Sequence, residues 1–148
     1  MGMRISPEPN GLWAMASGRP NPTNVATLPY PGLATDYLPL LVALQCFNTA
    51  TSYATENVFS GRFRYVGELA RMGAQVRVDG HHLVIDGVER LSAAPVRALD
   101  IRAGAALVVA ALGADGETVI SEAHHLDRGY EGFTDRLSAV GVQIERLD

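Results

Sequence analysis

The feature that most constrains this chain is an internal repeat whose matched positions lie 64 to 68 residues apart. Asp36 recurs as Asp100, each opening a strongly apolar stretch. Glu56 recurs as Glu122, each six residues before an arginine, Arg62 and Arg128. Leu69 recurs as Leu137, and each leads four residues later to a glycine, Gly73 and Gly141. A repeat of this length is one supersecondary unit that needs a neighbour to bury its apolar face.

Each unit reads as β-α-β-α-β-β. The first helix is expected over 36–47 and again over 100–112, apolar nearly all the way round and therefore buried on every side. A strand follows at 51–56 or 118–122. The second helix is amphipathic, with Phe63, Val66, Leu69 and Met72 on one face, matched by Phe133, Leu137 and Val140. Gly73 and Gly141 stand where a left-handed C-terminal cap belongs. Val76 and Val78, then Val142 and Ile144, alternate with polar residues as half-buried strands do. Asp79-Gly80 is a turn signal before a strand at 83–85.

The start of the chain falls inside a unit. Residues 1–5 align with 72–76, the turn-rich 7–11 takes the place of Asp79-Gly80, and 12–16 supplies the returning strand. The expected organisation is a unit tail at 1–26, a penultimate unit at 27–92 and a last unit at 93–148, all within one partial α/β (α+β) domain. A chain that opens after a unit's helices is expected to continue upstream in the intact protein. Residues 1–6 also fit an N-myristoylation pattern. Gly2 is better explained by its alignment with Gly73.

Composition narrows the classes of function. Twelve basic residues stand against sixteen acidic ones, so the clustered positive charge of a nucleic-acid footprint is missing. Every basic residue is arginine, so any anion site must use its planar, bidentate fork. The single cysteine, Cys46, allows no internal disulfide and reads as a small buried hydrophobe, with a reducing cytoplasm as the default location. Neither a signal peptide nor a membrane span is expected: the longest apolar run, 103–114, is about half the length a span needs. His81-His82 and His124-His125 invite a metal reading, but no ligand spacing completes it, and no metal or cofactor is expected.

Several collinear motifs then resemble one family. Thr27-Leu-Pro-Tyr-Pro-Gly-Leu-Ala-Thr-Asp36, Thr55-Glu-Asn-Val-Phe59, Gly61-Arg-Phe63, Arg71-Met-Gly-Ala74, Asp100-Ile-Arg-Ala103 and His125-Leu-Asp-Arg-Gly-Tyr-Glu131 resemble the UDP-N-acetylglucosamine enolpyruvyl transferases, the MurA family, over 27–147. The resemblance implies an inside-out α/β barrel of six such units in two domains, with this chain holding the C-terminal part. It implies transfer of enolpyruvyl from phosphoenolpyruvate to the 3-hydroxyl of UDP-N-acetylglucosamine, the first committed step of peptidoglycan synthesis, by addition and then loss of phosphate. That chemistry needs a base for the hydroxyl, an acid for the methylene, and cations for phosphate and carboxylate.

By position, the resemblance makes Asp36 the sugar-binding carboxylate and candidate base. From the residues alone, Asp36 reads as the cap of the helix it opens, as Asp100 does. Val58 matches a position whose backbone touches the nucleotide-sugar, and it also reads as a packed apolar residue. Arg102 places positive charge in the first turn of a buried helix, against the macrodipole, and an anion there would resolve the conflict. The family arginine at this position lies near phosphoenolpyruvate. Arg128 matches another phosphoenolpyruvate arginine, with a surface ion pair as the competing reading. The family's catalytic cysteine and its lysine-asparagine pair belong to the missing N-terminal portion, so the isolated chain is expected to be inactive.

The chain departs from the family pattern at Leu38 and Leu40, where glutamines are usual, and at Ser60-Gly61, where an acid-asparagine pair is usual. These departures keep two alternatives in view. One is a diverged transferase with another acceptor; the other is a truncated, non-catalytic protein that binds a ligand or a partner. Exposed apolar surface and self-association are expected where a further unit of the domain should pack.

Overall fold

A computed structural model describes residues 1–147. It opens with a hairpin of β1 (Arg4–Glu8) and β2 (Gly11–Met15), paired from Arg4 with Met15 to Glu8 with Gly11. The turn is tighter than the sequence suggested, because Pro7 and Glu8 belong to β1 and only Pro9 and Asn10 lie between the strands. The linker that follows carries Arg19. Its guanidinium donates to the carbonyls of Phe47 (3.0 Å), Asn48 and Val88 (2.9 Å). Two of these carbonyls lie just past the C-terminus of the first buried helix, where a cation complements the helix dipole.

The first unit is complete. It comprises β3 (Val25–Ala26), a single 3₁₀ turn at Thr35–Tyr37 running into α1 (Leu38–Gln45), β4 (Thr51–Thr55), α2 (Val66–Arg71), β5 (Gln75–Asp79) and β6 (His82–Asp86). Its strands form one sheet in the order β3-β4-β6-β5. β3 and β4 are parallel across α1, while β6 is antiparallel to both of its neighbours. Leu83 and Ile85 of β6 and Ala54 of β4 face inward and are fully buried. Phe63, Val66, Leu69 and Met72 cover them from α2 and its approach, as the helical spacing predicts.

Beyond β6 the chain forms β7 (Leu91–Ser92) and, in the second unit, β8 (Val96–Arg97), α3 (Ile101–Leu112), β9 (Ala114–Asp115) and β10 (Ile120–Ser121). Two short helices follow, α4 (His124–Asp127) and α5 (Phe133–Ala139). β8 and β10 are parallel across α3, repeating the relation of β3 to β4 across α1. The pair β7–β9 and the helix α4 were not foreseen from sequence. Val142 and Ile144, expected in a strand, lie in an irregular segment over 142–147. The reason is local: β5 is a strand because β6 pairs with it, and no strand pairs with 142–147 among the described residues.

α1 and α3 pack on each other at the centre. One apolar cluster runs from Leu38, Val42 and Leu69 through Met72, Leu83 and Leu91 to Leu107. The close fit is visible at Gly113, where an added Cβ would stand 2.6 Å from the Phe47 ring. The repeat also survives in the helix ends. Gly73 and Gly141 hold φ of +89° and +94°, and the residues after them, Ala74 and Val142, each donate 3.1 Å hydrogen bonds back to Leu69 and Leu137. That is a Schellman cap in both units. Gly2, aligned with them at the chain start, holds φ +80°.

Candidate active site at the paired helix starts

The two central helices begin side by side, and their first turns gather the charged residues of interest. Asp100 is the N-cap of α3, with extended backbone (φ −159°, ψ 177°). Its Oδ1 accepts from the amides of Arg102 and Ala103, both at 2.9 Å, and its Oδ2 accepts from the Arg102 guanidinium at 2.8 Å. Burial works against its ionisation, yet the Ala103 amide, the Arg102 charge and the Arg102 amide together outweigh it. Asp100 is therefore held below its ordinary value of 3.8. This binding of Arg102 also answers the sequence puzzle of a cation in the first turn.

Asp36 behaves differently. It sits within the 3₁₀ turn and makes no capping hydrogen bond, so the capping expected from its repeat position is not what its carboxylate does. Its side chain is 68% exposed and lies between two guanidiniums, Arg62 at 3.2 Å and Arg102 at 3.8 Å. Arg62 also donates to Thr35 Oγ1 (3.3 Å) and stacks 4.0 Å over the Phe59 ring. The result is a chain of alternating charge, Arg62–Asp36–Arg102–Asp100, that joins the two units at the helix starts.

Glu56 fixes this arrangement from below. Its buried carboxylate accepts from Thr27 Oγ1 (2.7 Å), Thr35 Oγ1, and the amides of Val58 (2.8 Å) and Phe59 (3.1 Å). Burial raises its proton affinity, but the Thr35 and Thr27 hydroxyls and the two amides more than compensate, leaving it below its ordinary value of 4.5. Thr35 thus donates to Glu56 and accepts from Arg62, linking the buried carboxylate to the exposed pair. The half-buried Val58 has its amide engaged by Glu56, so a ligand meeting its backbone would meet the carbonyl.

Of the four residues singled out from sequence, Asp36 and Arg102 are brought together and Val58 is tied to them through Glu56 and Thr35. Arg128 stands apart, exposed at the end of α4 with no ion pair among the described residues. Its loop still crosses the start of α3, since a Cβ added at Gly129 would come within 2.4 Å of Ile101 Cδ1. Sequence reasoning missed Arg62 as the second clamp on Asp36 and Glu56 as the hub. The available signal was their shared repeat with Glu122 and Arg128. Leu38 is 2% exposed and lies in the core, while Leu40 is partly buried against Ala105, Val108 and Leu126, so both departures from the family pattern pack on apolar neighbours. Ser60 and Gly61 form an exposed turn, with Gly61 at φ +72°.

Cys46 is fully buried, and burial pushes its thiol up to about 12, which makes it a packing residue. The ligand atoms of Glu122, His124 and His125 lie within 4.8 Å of one another. Glu122 is already paired with Arg97 (3.5 Å) and His124 (3.4 Å) on an open loop.

An alternating anion–cation cluster at two adjoining helix N-termini suits the binding of a small anionic substrate, and known proteins with this architecture are enolpyruvyl transferases. The enolpyruvyl transferase NikO from Streptomyces tendae superposes with a TM-score of 0.88 at 30% identity, over 98% of this chain and 34% of its own. EPSP synthase from Acinetobacter baumannii shares the fold, with a TM-score of 0.72 at 20% identity. The family described as EPSP synthase (3-phosphoshikimate 1-carboxyvinyltransferase) matches residues 1–137, and the chain belongs to this carboxyvinyl transferase family. Among curated relatives, UDP-N-acetylglucosamine 1-carboxyvinyltransferase of Nocardia farcinica is 47% identical over 99% of this chain and 34% of its own length. Its namesake in Mycobacterium tuberculosis is 52% identical over 87% of this chain and 31% of its own length. The chain therefore spans about a third of the length of the relatives it matches.

Proposed function

We propose that the chain is the C-terminal part of a transferase that moves enolpyruvyl from phosphoenolpyruvate to the 3-hydroxyl of UDP-N-acetylglucosamine. The observation that carries this reading is the exposed Asp36 carboxylate held between Arg62 and Arg102 at the start of two buried helices. Relatives bearing that activity in their names support it at 44–52% identity.

Asp36 accepts the proton of the sugar hydroxyl as its oxygen adds to C2 of the enol phosphate, and the adduct then loses phosphate and a methyl proton to restore the double bond. Arg102 and Arg128 supply positive charge for the phosphate and carboxylate of that substrate, without need of a metal or cofactor. The Val58 carbonyl faces the nucleotide-sugar. Protonation of the methylene and the rest of the anion clamp come from the missing N-terminal portion, and catalytic groups that act as a unit fail together. The isolated chain is accordingly inactive. No helix among the described residues is long and apolar enough to cross a membrane, and the reading carries with it a cytoplasmic location.

The test is reconstitution: the N-terminal two-thirds of the Mycobacterium tuberculosis relative, coexpressed with this chain, assayed for phosphate release. Turnover should require both parts and UDP-N-acetylglucosamine. Phosphate release by the 148-residue chain alone would overturn the division of labour. Turnover only with a different acceptor would establish the diverged reading, which the apolar packing of Leu38 and Leu40 disfavours.

A further inference from the structure

Arg62 is held on three sides at the helix starts. Its Nη1 donates to both Thr35 Oγ1 (3.3 Å) and Asp36 Oδ1 (3.2 Å), and its guanidinium carbon lies 4.0 Å from the centre of the Phe59 ring. Its side chain is 29% exposed against 68% for Asp36, so the arginine is the better enclosed member of the pair.

The two other partners of Arg62 both hang on Glu56. Thr35 gives its hydroxyl proton to Glu56 Oε2, and Phe59 donates its backbone amide to Glu56 Oε1 at 3.1 Å. Oε1 also accepts from Thr27 and the Val58 amide, while the Thr35 hydroxyl takes Oε2. The direction of this relay is fixed by chemistry. A guanidinium only donates and an ionised carboxylate only accepts, so the single Thr35 proton points to Glu56 and a lone pair faces Arg62. Hydrogen bonds in such a series polarise and strengthen one another.

The second unit folds without the relay. Its residue before Asp100 is Leu99, which has no hydroxyl, its Glu122 is exposed, and its Arg128 has no ion pair among the described residues. The Thr35 hydroxyl therefore belongs to the site rather than to the architecture of the unit.

We propose that Thr35 is a positioning residue for the transfer reaction: through Arg62 it fixes where the Asp36 carboxylate stands as the sugar hydroxyl loses its proton. The role rests on the transferase reading above, in which Asp36 is the base. Thr35 itself transfers no proton. An exposed carboxylate has several rotamers open to it, and a preset guanidinium selects one. Misplacing a reacting group by about 1 Å can cost about 100-fold in rate, so a hydroxyl one residue away is enough to matter.

The experiment joins kinetics of the reconstituted enzyme to nitrogen NMR of the Arg62 guanidinium in the 148-residue chain. Thr35→Val keeps the shape of the side chain and removes its hydroxyl. It should lower kcat about tenfold and move the KM for UDP-N-acetylglucosamine by about twofold or less, the pattern of a contact that matters in the transition state. Thr35→Ser returns the hydroxyl and should return kcat. In the chain alone, rotation of the Arg62 guanidinium, identified by its loss in Arg62→Lys, should be several-fold faster in Thr35→Val than in wild type or Thr35→Ser. Phe59→Leu, at a 48% exposed position, releases the other face of the guanidinium and should lower kcat about threefold, which decides the matter should Thr35→Val not fold. An unmodified pair without turnover would sink the transferase reading, and the Arg62 rotation would still test the relay. Full turnover in Thr35→Val, a loss that Thr35→Ser fails to repair, or an Arg62 rotation indifferent to residue 35 would each overturn the proposal.

Discussion

Asp36 and Asp100 occupy one repeat position and do different work. Asp100 closes a three-residue stretch that starts at Ala98, reaches the helix in extended backbone, and gives its carboxylate to the first turn of α3. The corresponding stretch in the first unit, from Thr27 to Asp36, is seven residues longer and delivers Asp36 into a 3₁₀ turn, where it caps nothing. A loop insertion has released a carboxylate from a structural duty, leaving it exposed between two arginines. The same contrast separates Glu56, buried with four donors, from Glu122, an exposed residue at φ +58° paired with Arg97 and His124. Within each pair the residue type is constant, and the surroundings decide whether it supports the fold or faces a ligand.

The largest effect is expected at Glu56. Glu56→Ala strands two hydroxyls and two amides and should cost about 2–4 kcal/mol by urea unfolding, because unsatisfied buried polar groups are expensive. Glu122→Ala should stay within about 0.5 kcal/mol, as surface changes do. Next comes the cap: Asp100→Ala should cost about 1–2 kcal/mol. Asp36→Ala, which removes only exposed ion pairs, should change stability by less than about 1 kcal/mol. Equal losses for the two aspartates would erase the comparison.

Acid should act in the same direction on both supporting carboxylates. Glu56 and Asp100 are held below their ordinary values of 4.5 and 3.8, so the stability they contribute is complete above those values. It is lost as pH falls through their folded values, in the window below about pH 4.5. Urea midpoints measured from pH 6 downward should fall through that window, and Glu56→Gln should flatten the fall by removing one titrating group. The smallest effect is local. Gly129→Ala, pressed against Ile101, should shift the Arg128 loop and lower turnover in the reconstituted enzyme while changing the melting temperature little.

Much of this was legible in the sequence where short-range physics decides. The two buried helices, the glycine caps at Gly73 and Gly141 and the hairpin after Asp79 rest on periodicity and backbone sterics, and all are present. What could not be read depends on partners. Residues 142–147 have a strand's alternation and, among the described residues, no strand beside them. Leu38 and Leu40 stand where glutamines are usual, and the direction of α1 buries the first and packs the second against Ala105, Val108 and Leu126. Arg62 reaches Asp36 across 26 residues of sequence, a distance over which no local pattern speaks.

The central claim is that Asp36 is free for chemistry because it is free of the fold. Asp36→Asn, introduced into the reconstituted enzyme, tests it when phosphate release and melting temperature are measured on the same preparation. The account predicts an unchanged melting temperature with turnover reduced by at least about 100-fold, the scale of a lost general base. A lowered melting temperature with turnover retained would contradict it, returning Asp36 to the structural role of Asp100.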